Sequence, residues 1–404
     1  MTTARRRVLF VDDEPAVLDG LRDLLRRERD RWDMVFAPGG AEAIAEMKRA
    51  PFDVVVCDMR MPGMDGAAVL TWVRDHHPSA ARIVLSGHAE ERAVVLALPV
   101  AHQYLSKPCD AETLRRAVSR TCALQGLLQD AAVRRVVART ARLTSPSEIV
   151  GALAATVADP RAGAQEIAAV IERDPAMSAK LLQLANSAFF RTAREVTSVR
   201  QAVMYLGADV LVGLVASAQV FASTNLDLPR GFGVEELQRR ALARSALAAR
   251  LTGDREAGDA AAAAAMLADI GILALAAELP REYNRALELV AGGRSLPAAE
   301  REVLGVAHAE AGAYLLGIWG LPFRIVEAVA LHHQPGLASE GPSEAVAIVH
   351  VADALIGGPG YGGPKTIDRA ALARSGFLER LPKWEAAAAA LAASPVEAES
   401  VRGG

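Results

Sequence analysis

The sequence predicts an α/β unit built on a parallel sheet, followed by an all-helical unit. Three observations carry this: short apolar runs alternate with amphipathic stretches up to about residue 122, strand signals stop after about residue 125, and capped helical stretches replace them. The 404-residue length suits two or three domains. A hydrophobic share of 51% with 23% charged residues excludes a disordered chain. The formal net charge of -3 provides no global basic field for nucleic acid.

The first unit reads as five β-α repeats. Apolar runs fall at Val8–Val11, Met34–Phe36, Val54–Cys57, Ile83–Leu85 and Gln103–Leu105, with helical stretches such as Ala16–Arg27, Ala41–Lys48 and Ala67–Arg74 between them. In parallel sheets of this kind, reactive groups collect at the carboxyl ends of the strands. Asp12 and Asp13 end the first run and Asp58 ends the third, so neighbouring strands 1 and 3 gather three carboxylates. Such a cluster repels itself unless a cation sits among the oxygens, and hard oxygen donors suit Mg²⁺. A carboxylate can also attack a phosphoryl group and form an aspartyl phosphate. Ser86 ends the fourth run and Lys107 follows the fifth, supplying a hydroxyl and a cation for phosphoryl oxygens. Pro108 permits a cis turn after Lys107. Cys57, Cys109 and Cys122 form no CxxC pair and read as reduced thiols, with Cys57 a buried strand residue.

The connecting stretch 111–143 contains one glycine, Gly126, and no proline. It reads either as one helix of about 33 residues, roughly 50 Å long, or as two helices broken near Gly126. The helical unit then opens with Ser145-Pro146-Ser147-Glu148, an N-cap signal with proline at the first helical position. Asp174-Pro175 starts another helix, and Ser198 with Gln201 forms a second capping box. Further helices are expected near 208–222, 235–252, 259–278, 299–318, 323–333 and 343–356. The stretch Ala260–Ala277 carries only one charge, Asp269. That carboxylate would sit near the centre of a spanning helix, so a buried helix without membrane contact is expected. Val8–Val11 is too short for a signal-peptide core, which favours a cytoplasmic location. The segment Gly357–Pro364 reads as loop, Tyr361 included, and the alanine run 386–391 as a short terminal helix. Arg239, Arg240, Arg244, Arg250 and Arg255 interleave with Glu235, Glu236, Asp254 and Glu256 and lack a helix-turn-helix turn. They read as a solvated helix face, and no DNA partner is expected.

The pieces VLFVDDE (8–14), CDMRMPGMDG (57–66), VLSG (84–87) and YLSKP (104–108) resemble response-regulator receiver domains over about residues 1–122. The resemblance implies a flavodoxin-like sheet of order 2-1-3-4-5 and phosphoryl transfer from a sensor histidine kinase to Asp58. It implies Mg²⁺ held by Asp13, Asp58 and the Arg60 carbonyl, with Asp12 acting through water or in support. Ser86 and Lys107 would contact the phosphoryl oxygens, and Tyr104 would move with Ser86.

After a helical linker at 123–142, the pieces IERDPAMSAKLLQLANSAFF (171–190), SVRQAVMYLG (198–207), MLADIG (266–271), HAEAGAYLLGIWGLP (308–322) and ALHHQP (330–335) resemble the HDOD domain. This is a degenerate branch of the HD phosphohydrolases, here spanning 143–356 with a loop and helical tail at 357–404. Asn186-Ser187 reads as a helix cap. Catalytic HD proteins ligate metal through a histidine, an adjacent His-Asp and a distal aspartate. Here Arg244 stands for the first histidine and Ala268-Asp269 for the His-Asp pair. A guanidinium offers no lone pair to a metal. Asp269, His308, His332, His333 and Asp353 remain as a vestigial site. The resemblance therefore implies a non-catalytic output with no metal in this half. That output would bind a downstream signalling protein, by resemblance one of cyclic-di-GMP turnover, and a homodimer stays open. The alternative is a phosphorylation-gated, metal-dependent phosphodiesterase of cyclic (di)nucleotides using Asp269, His308, His332 and Asp353.

Overall fold

A computed structural model of the chain describes residues 5–87, 97, 100–127, 145, 147–159, 161–190, 195–207, 210–211, 229, 232–338, 341–356 and 366–393. Residues 128–143 of the connecting stretch, the loop Gly357–Pro364, Pro146 and most of 208–222 lie outside these.

Strands β1 (Arg6–Val11), β2 (Trp32–Ala37), β3 (Val54–Asp58), β4 (Ala81–Gly87) and β5 (Gln103–Lys107) form one parallel sheet in the order 2-1-3-4-5. Side chains alternate between its faces. On one face Val8, Phe10, Val54, Val56 and Ile83 pack with Leu18 and Leu21 of α1 (Pro15–Leu24) and Leu114 and Val118 of α4 (Ala111–Leu127). On the other, Leu9, Val11, Val55 and Val84 pack with Ala43 and Met47 of α2 (Gly40–Arg49) and Val69, Leu70 and Val73 of α3 (Gly66–His76). The register sets Val11 opposite Cys57 and Asp58 opposite Leu85, so the polar residues emerge together at one edge.

The second unit contains helices and no strand among its described residues. It comprises α5 (Ser147–Ala158), α6 (Ala164–Ile171), α7 (Pro175–Ala185), α8 (199–207), α9 (Val234–Arg250), α10 (Arg255–Leu267), α11 (Ile270–Glu278) and α12 (Pro280–Ala291). There follow α13 (Leu296–Leu304), α14 (His308–Ile318), α15 (Phe323–Leu331), α16 (Glu344–Ile356), α17 (Arg369–Arg374) and α18 (Leu381–Ala392). Asp174 caps α7 as expected, accepting from the Ala176 N–H at 3.0 Å. Ser198 caps α8, but Gln201 reaches back to the Thr197 N–H, one residue earlier than a reciprocal box requires.

Two expectations need correction. The stretch 259–278 is two helices with a turn at Ala268–Asp269, which points the Asp269 carboxylate into the interior instead of along one helix face. The stretch 299–318 also divides, because Gly305 takes a left-handed φ of 76° and ends α13. Helices α6, α12 (with proline in its first turn) and α17 lie outside the stretches expected from the sequence. Ala257–Glu278 is long and apolar enough to span a membrane, and 89% of its most apolar window is buried inside the protein.

Helices α11 and α14 meet backbone to backbone. A Cβ on Gly271 would lie 2.0 Å from the His308 carbonyl oxygen, and one on Gly312 would lie 3.1 Å from the Gly271 nitrogen. Only glycine permits that approach, and it brings Asp269, one residue before α11, against His308 at the start of α14.

The helical unit docks on the outer edge of β5. Phe189 N–H donates to the Tyr104 carbonyl at 3.1 Å, and Gln183 Nε2 donates to the carbonyls of Ala101 at 3.3 Å and His102 at 2.9 Å. Gln103 Nε2 donates to Ile318 O at 2.8 Å and Arg120 to Leu321 O at 2.5 Å. The Phe189 and Gln183 bonds satisfy carbonyls of β5 and of the two residues before it that would otherwise be left open at a strand edge. Lys180 is buried in the same interface with its ammonium 3.7 Å from the Trp319 ring centroid.

Candidate functional site

Two clusters of chemistry-bearing side chains stand out. The first lies at the carboxyl edge of the sheet. Asp12 follows β1, Asp58 closes β3, Ser86 lies near the end of β4 and Lys107 ends β5. Lys107 Nζ sits 2.6 Å from Asp12 Oδ2 and 2.5 Å from Asp58 Oδ1. The Arg60 N–H donates to Asp58 Oδ2 at 2.9 Å, and the Glu14 N–H to Asp12 Oδ1 at 3.0 Å. Asp12, Asp58 and Ser86 are buried, whereas Asp13 is half-buried at the rim. Burial pushes the Asp58 carboxyl above its ordinary range, with the Lys107 bond opposing. For Lys107, burial lowers the ammonium's pKa, but the bonds to Asp12 and Asp58 outweigh it and raise the net value.

Gly66 keeps the floor of this pocket closed, since a Cβ there would come 2.0 Å from the Asp58 carbonyl oxygen. Above it, Asp13, Met59, Arg60 and Asp65 border an open cavity of about 530 Å³. The Lys107-Pro108 bond is cis. The donors fit Mg²⁺: carboxylates from two adjacent strands converge, and the one ammonium contacting both Asp12 and Asp58 leaves negative charge for a second cation. Cys57 beside Asp58 is buried, and burial together with the Asp58 charge raises its thiol well above the usual range. That makes it a core residue without thiolate chemistry.

Tyr104 is fully buried, and its hydroxyl has no hydrogen-bond partner among the described residues. The sequence-derived set Asp12, Asp13, Asp58, Arg60, Ser86 and Lys107 is thus gathered at one edge. Tyr104 lies on β5 itself, three residues before Lys107, where the helical unit docks.

The second cluster lies inside the helical unit. Arg244 of α9 is 1% exposed, and its Nη1 donates to Asp269 Oδ2 and to Asp353 Oδ1, each at 2.8 Å. Its Nε also donates to Ala265 O at 2.7 Å. Arg240 is buried on the same helix, 3.9 Å from Asp353 Oδ1. The expected solvated arginine face therefore fails for these two residues, because the paired aspartates draw their guanidiniums inward. Desolvation alone would lower the Arg244 pKa, yet Asp269 and Asp353 raise it overall.

Around the same aspartates, His308, His332 and His333 converge. His308 Nε2 lies 3.6 Å and His332 Nε2 3.8 Å from Asp269 Oδ1, and His308 Nε2 lies 2.8 Å from His333 Nε2. His333 Nδ1 faces Asp353 Oδ2 at 3.7 Å. All five residues of the anticipated vestigial site are brought together. Sequence reasoning missed Glu300, which accepts from His308 Nδ1 at 2.6 Å, from the His308 N–H at 2.9 Å and from the Tyr283 hydroxyl at 2.7 Å. Nothing in the spacing of Glu300 in α13 marks it, since the contact depends on the turn at Gly305. Asn186 and Ser187 act as the expected cap, bonding the Leu182, Val196 and Leu184 carbonyls.

Comparison with known proteins agrees with both units. The response regulator receiver domain model matches residues 8–119, and the HDOD domain model matches residues 143–335. The hydrogenase transcriptional regulatory protein HoxA of Cupriavidus necator is 34% identical over 132 residues, 32% of this chain and 27% of that protein. The transcriptional regulatory protein ZraR of Salmonella typhimurium is 33% identical over 119 residues, 28% of this chain and 26% of that one. The chain thus spans about a quarter of the length of these curated relatives. The solved MmoQ response regulator of Methylococcus capsulatus is 27% identical with a TM-score of 0.47, covering 60% of this chain and 98% of that one. A virulence factor of Campylobacter jejuni, 22% identical with a TM-score of 0.54, shares the fold over 65% of this chain and 98% of its own. With the receiver pocket at the sheet edge and the helical unit matched in its own right, the chain is a response regulator that joins an N-terminal receiver domain to a C-terminal HDOD domain.

Proposed function

We propose that Asp58 accepts a phosphoryl group from a sensor histidine kinase and thereby controls a non-catalytic HDOD output that binds a signalling partner in the cytoplasm. The observation that carries the first half is the Lys107 ammonium within 2.6 Å of both Asp12 and Asp58. It would neutralise part of a phosphoryl dianion on Asp58, with Mg²⁺ at Asp13, Asp58 and the Arg60 carbonyl, supported by Asp12, supplying the remaining positive charge. The new dianion is the local event, and β5, which carries both Lys107 and the docking edge, is the element placed to respond. A partner in cyclic-di-GMP turnover fits the HDOD resemblance.

Arg244 supports the non-catalytic half of the reading. A metal-activated water needs an open coordination position on a metal, and Arg244 instead satisfies one oxygen each of Asp269 and Asp353 with a permanent cation. The three histidines favour the alternative phosphodiesterase, but hydrolysis would need those two oxygens released.

Incubation of the full chain with Mg²⁺ and acetyl phosphate tests the assignment. Intact-mass measurement should show one added phosphoryl group, absent in Asp58→Ala. Uptake by that variant would overturn the site. In the same preparation, metal-dependent turnover of cyclic dinucleotides would overturn the non-catalytic output.

A further inference from the structure

Helices α7 to α10 border a groove of about 1050 Å³ that neither the Asp58 pocket nor the buried Arg244 cluster uses. Leu242, Ser245, Ala246 and Ala249 of α9 line it at the spacing i, i+3, i+4, i+7, so they share one helix face. Asp259, Ala262, Ala263 and Met266 of α10 line it at the same spacing. Such stripes ordinarily lie covered in a core. Here Ala249 is exposed, and Leu242, Ala246 and Ala262 are only half-buried. Beside them on α8, Met204 is 68% exposed and Tyr205 is 49% exposed. The alanines keep the surface low, which lets the backbone of another helix come close.

The groove is held in shape by its own polar contacts. Ser245 Oγ donates to the Ala262 carbonyl at 2.9 Å and ties α9 to α10. The Asn186 amide accepts from the Val196 N–H at 2.9 Å and donates to the Val196 carbonyl at 2.7 Å, which fixes the segment entering α8. The Tyr205 hydroxyl donates to the Phe190 carbonyl at 3.0 Å. Its charge is one-sided: Glu172, Glu195, Asp254 and Asp259 line it against one guanidinium, Arg200. Arg200 lies 3.4 Å from Glu172, and Glu195 pairs with Arg324 at 3.3 Å. Burial pushes the Glu172 carboxyl up, Arg200 opposes that, and the Asp259 charge adds to the rise. Further positive charge is therefore favourable there.

We infer that this groove seats a cationic amphipathic helix of the downstream partner, its apolar face on α9 and α10 and its lysines or arginines at the acidic rim. The inference rests on the reading of the helical domain as a partner-binding output. A helix is about 10 Å across, so the volume takes roughly 13 Å of it, or about nine residues. Met204 gives the site an adaptable apolar contact. The chain's own stretch 208–228, between α8 and α9 in sequence, carries two aspartates and no lysine or arginine, so it does not supply the complementary charge.

The probe is a fluorescent synthetic helix of about 15 residues with leucines on one face and lysines on the other, titrated with the full chain. A matched helix with glutamates in place of the lysines is the control. Saturable one-to-one binding of the Leu/Lys helix is expected, weakening as salt rises, with none for the Leu/Glu helix. Met204→Lys and Ala249→Trp, both at exposed positions, should each weaken binding about tenfold or more. Asp58→Ala should bind as the native chain does, so a failure of phosphoryl uptake and a failure here are read separately. No binding by the folded native chain, unchanged binding in both groove variants, or equal binding of the Leu/Glu helix would overturn the site. A photo-cross-linker at position 249 that captures residues 131–143, which carry four arginines, would put this chain's own segment in the groove and overturn a separate partner.

Discussion

The Phe189 N–H donates to the carbonyl oxygen of Tyr104 at 3.1 Å, so the helical domain completes the edge of the strand that carries Lys107. The phosphoryl pocket and the docking edge are therefore two ends of one five-residue strand. A displacement of β5 at Lys107 reaches the bond at Phe189 without an intermediary element.

If phosphorylation acts through β5, amide exchange at Phe189 should quicken when beryllofluoride and Mg²⁺ occupy the Asp58 pocket. Exchange mass spectrometry over residues 183–190 reads this. An unchanged rate, with the pocket shown to be filled, would place the coupling elsewhere.

Gln183 makes two bonds across the interface, to Ala101 O and His102 O. Gln183→Ala should loosen docking by roughly 1–3 kcal/mol, because two buried carbonyls lose their donor. Faster exchange at Phe189 in the unphosphorylated variant is the expected outcome, and a native rate would show that these bonds do not hold the interface.

Arg244→Met leaves Asp269 and Asp353 buried without their shared counter-ion. Breaking one side of such a pair costs about 3–5 kcal/mol. Urea denaturation should show that loss in the helical domain. A variant of native stability would mean the aspartates are neutralised otherwise.

Gly271→Ala should be more damaging than its single methyl suggests, since the new Cβ would meet the His308 carbonyl oxygen at 2.0 Å. Separation of α11 from α14 would also pull Asp269 from His308. A control at Gly151, where an added Cβ has no atom within 4 Å, should be nearly neutral in thermal melts.

Asp174 is fully buried, and burial raises its carboxyl to about 6 despite bonds from Ser145, Ala176 and Gln238. A folded value above the unfolded one means the native state favours the proton. Its contribution is therefore largest below the unfolded value of 3.8 and fades as pH rises through about 6. Asp174→Asn keeps a cap acceptor without the charge. Relative to native protein it should gain roughly 3 kcal/mol between pH 4 and 7. A pH-independent difference in stability would contradict the assignment.

The sheet edge was legible because strands advance by a fixed period. Once β1, β3, β4 and β5 are placed, their carboxyl ends and the residues there follow, and Asp12, Asp58, Ser86 and Lys107 meet where expected. The caps at Asp174 and Ser198 were legible for a similar reason, being local hydrogen-bond chemistry. The helix breaks at Ala268–Asp269 and Gly305 were not, since both interrupt stretches whose composition stays helical.

By itself the sequence determined two domains, an aspartate pocket on a parallel sheet and a helical unit lacking two metal ligands. Only the tertiary structure decided that Arg244 is buried against Asp269 and Asp353, that Glu300 orients His308, and that β5 is capped by Phe189. Those relationships join residues from 8 to 109 positions apart in the chain. Side-chain direction across such distances is set by how helices cross, at contacts such as Gly271 on Gly312, which no local period encodes.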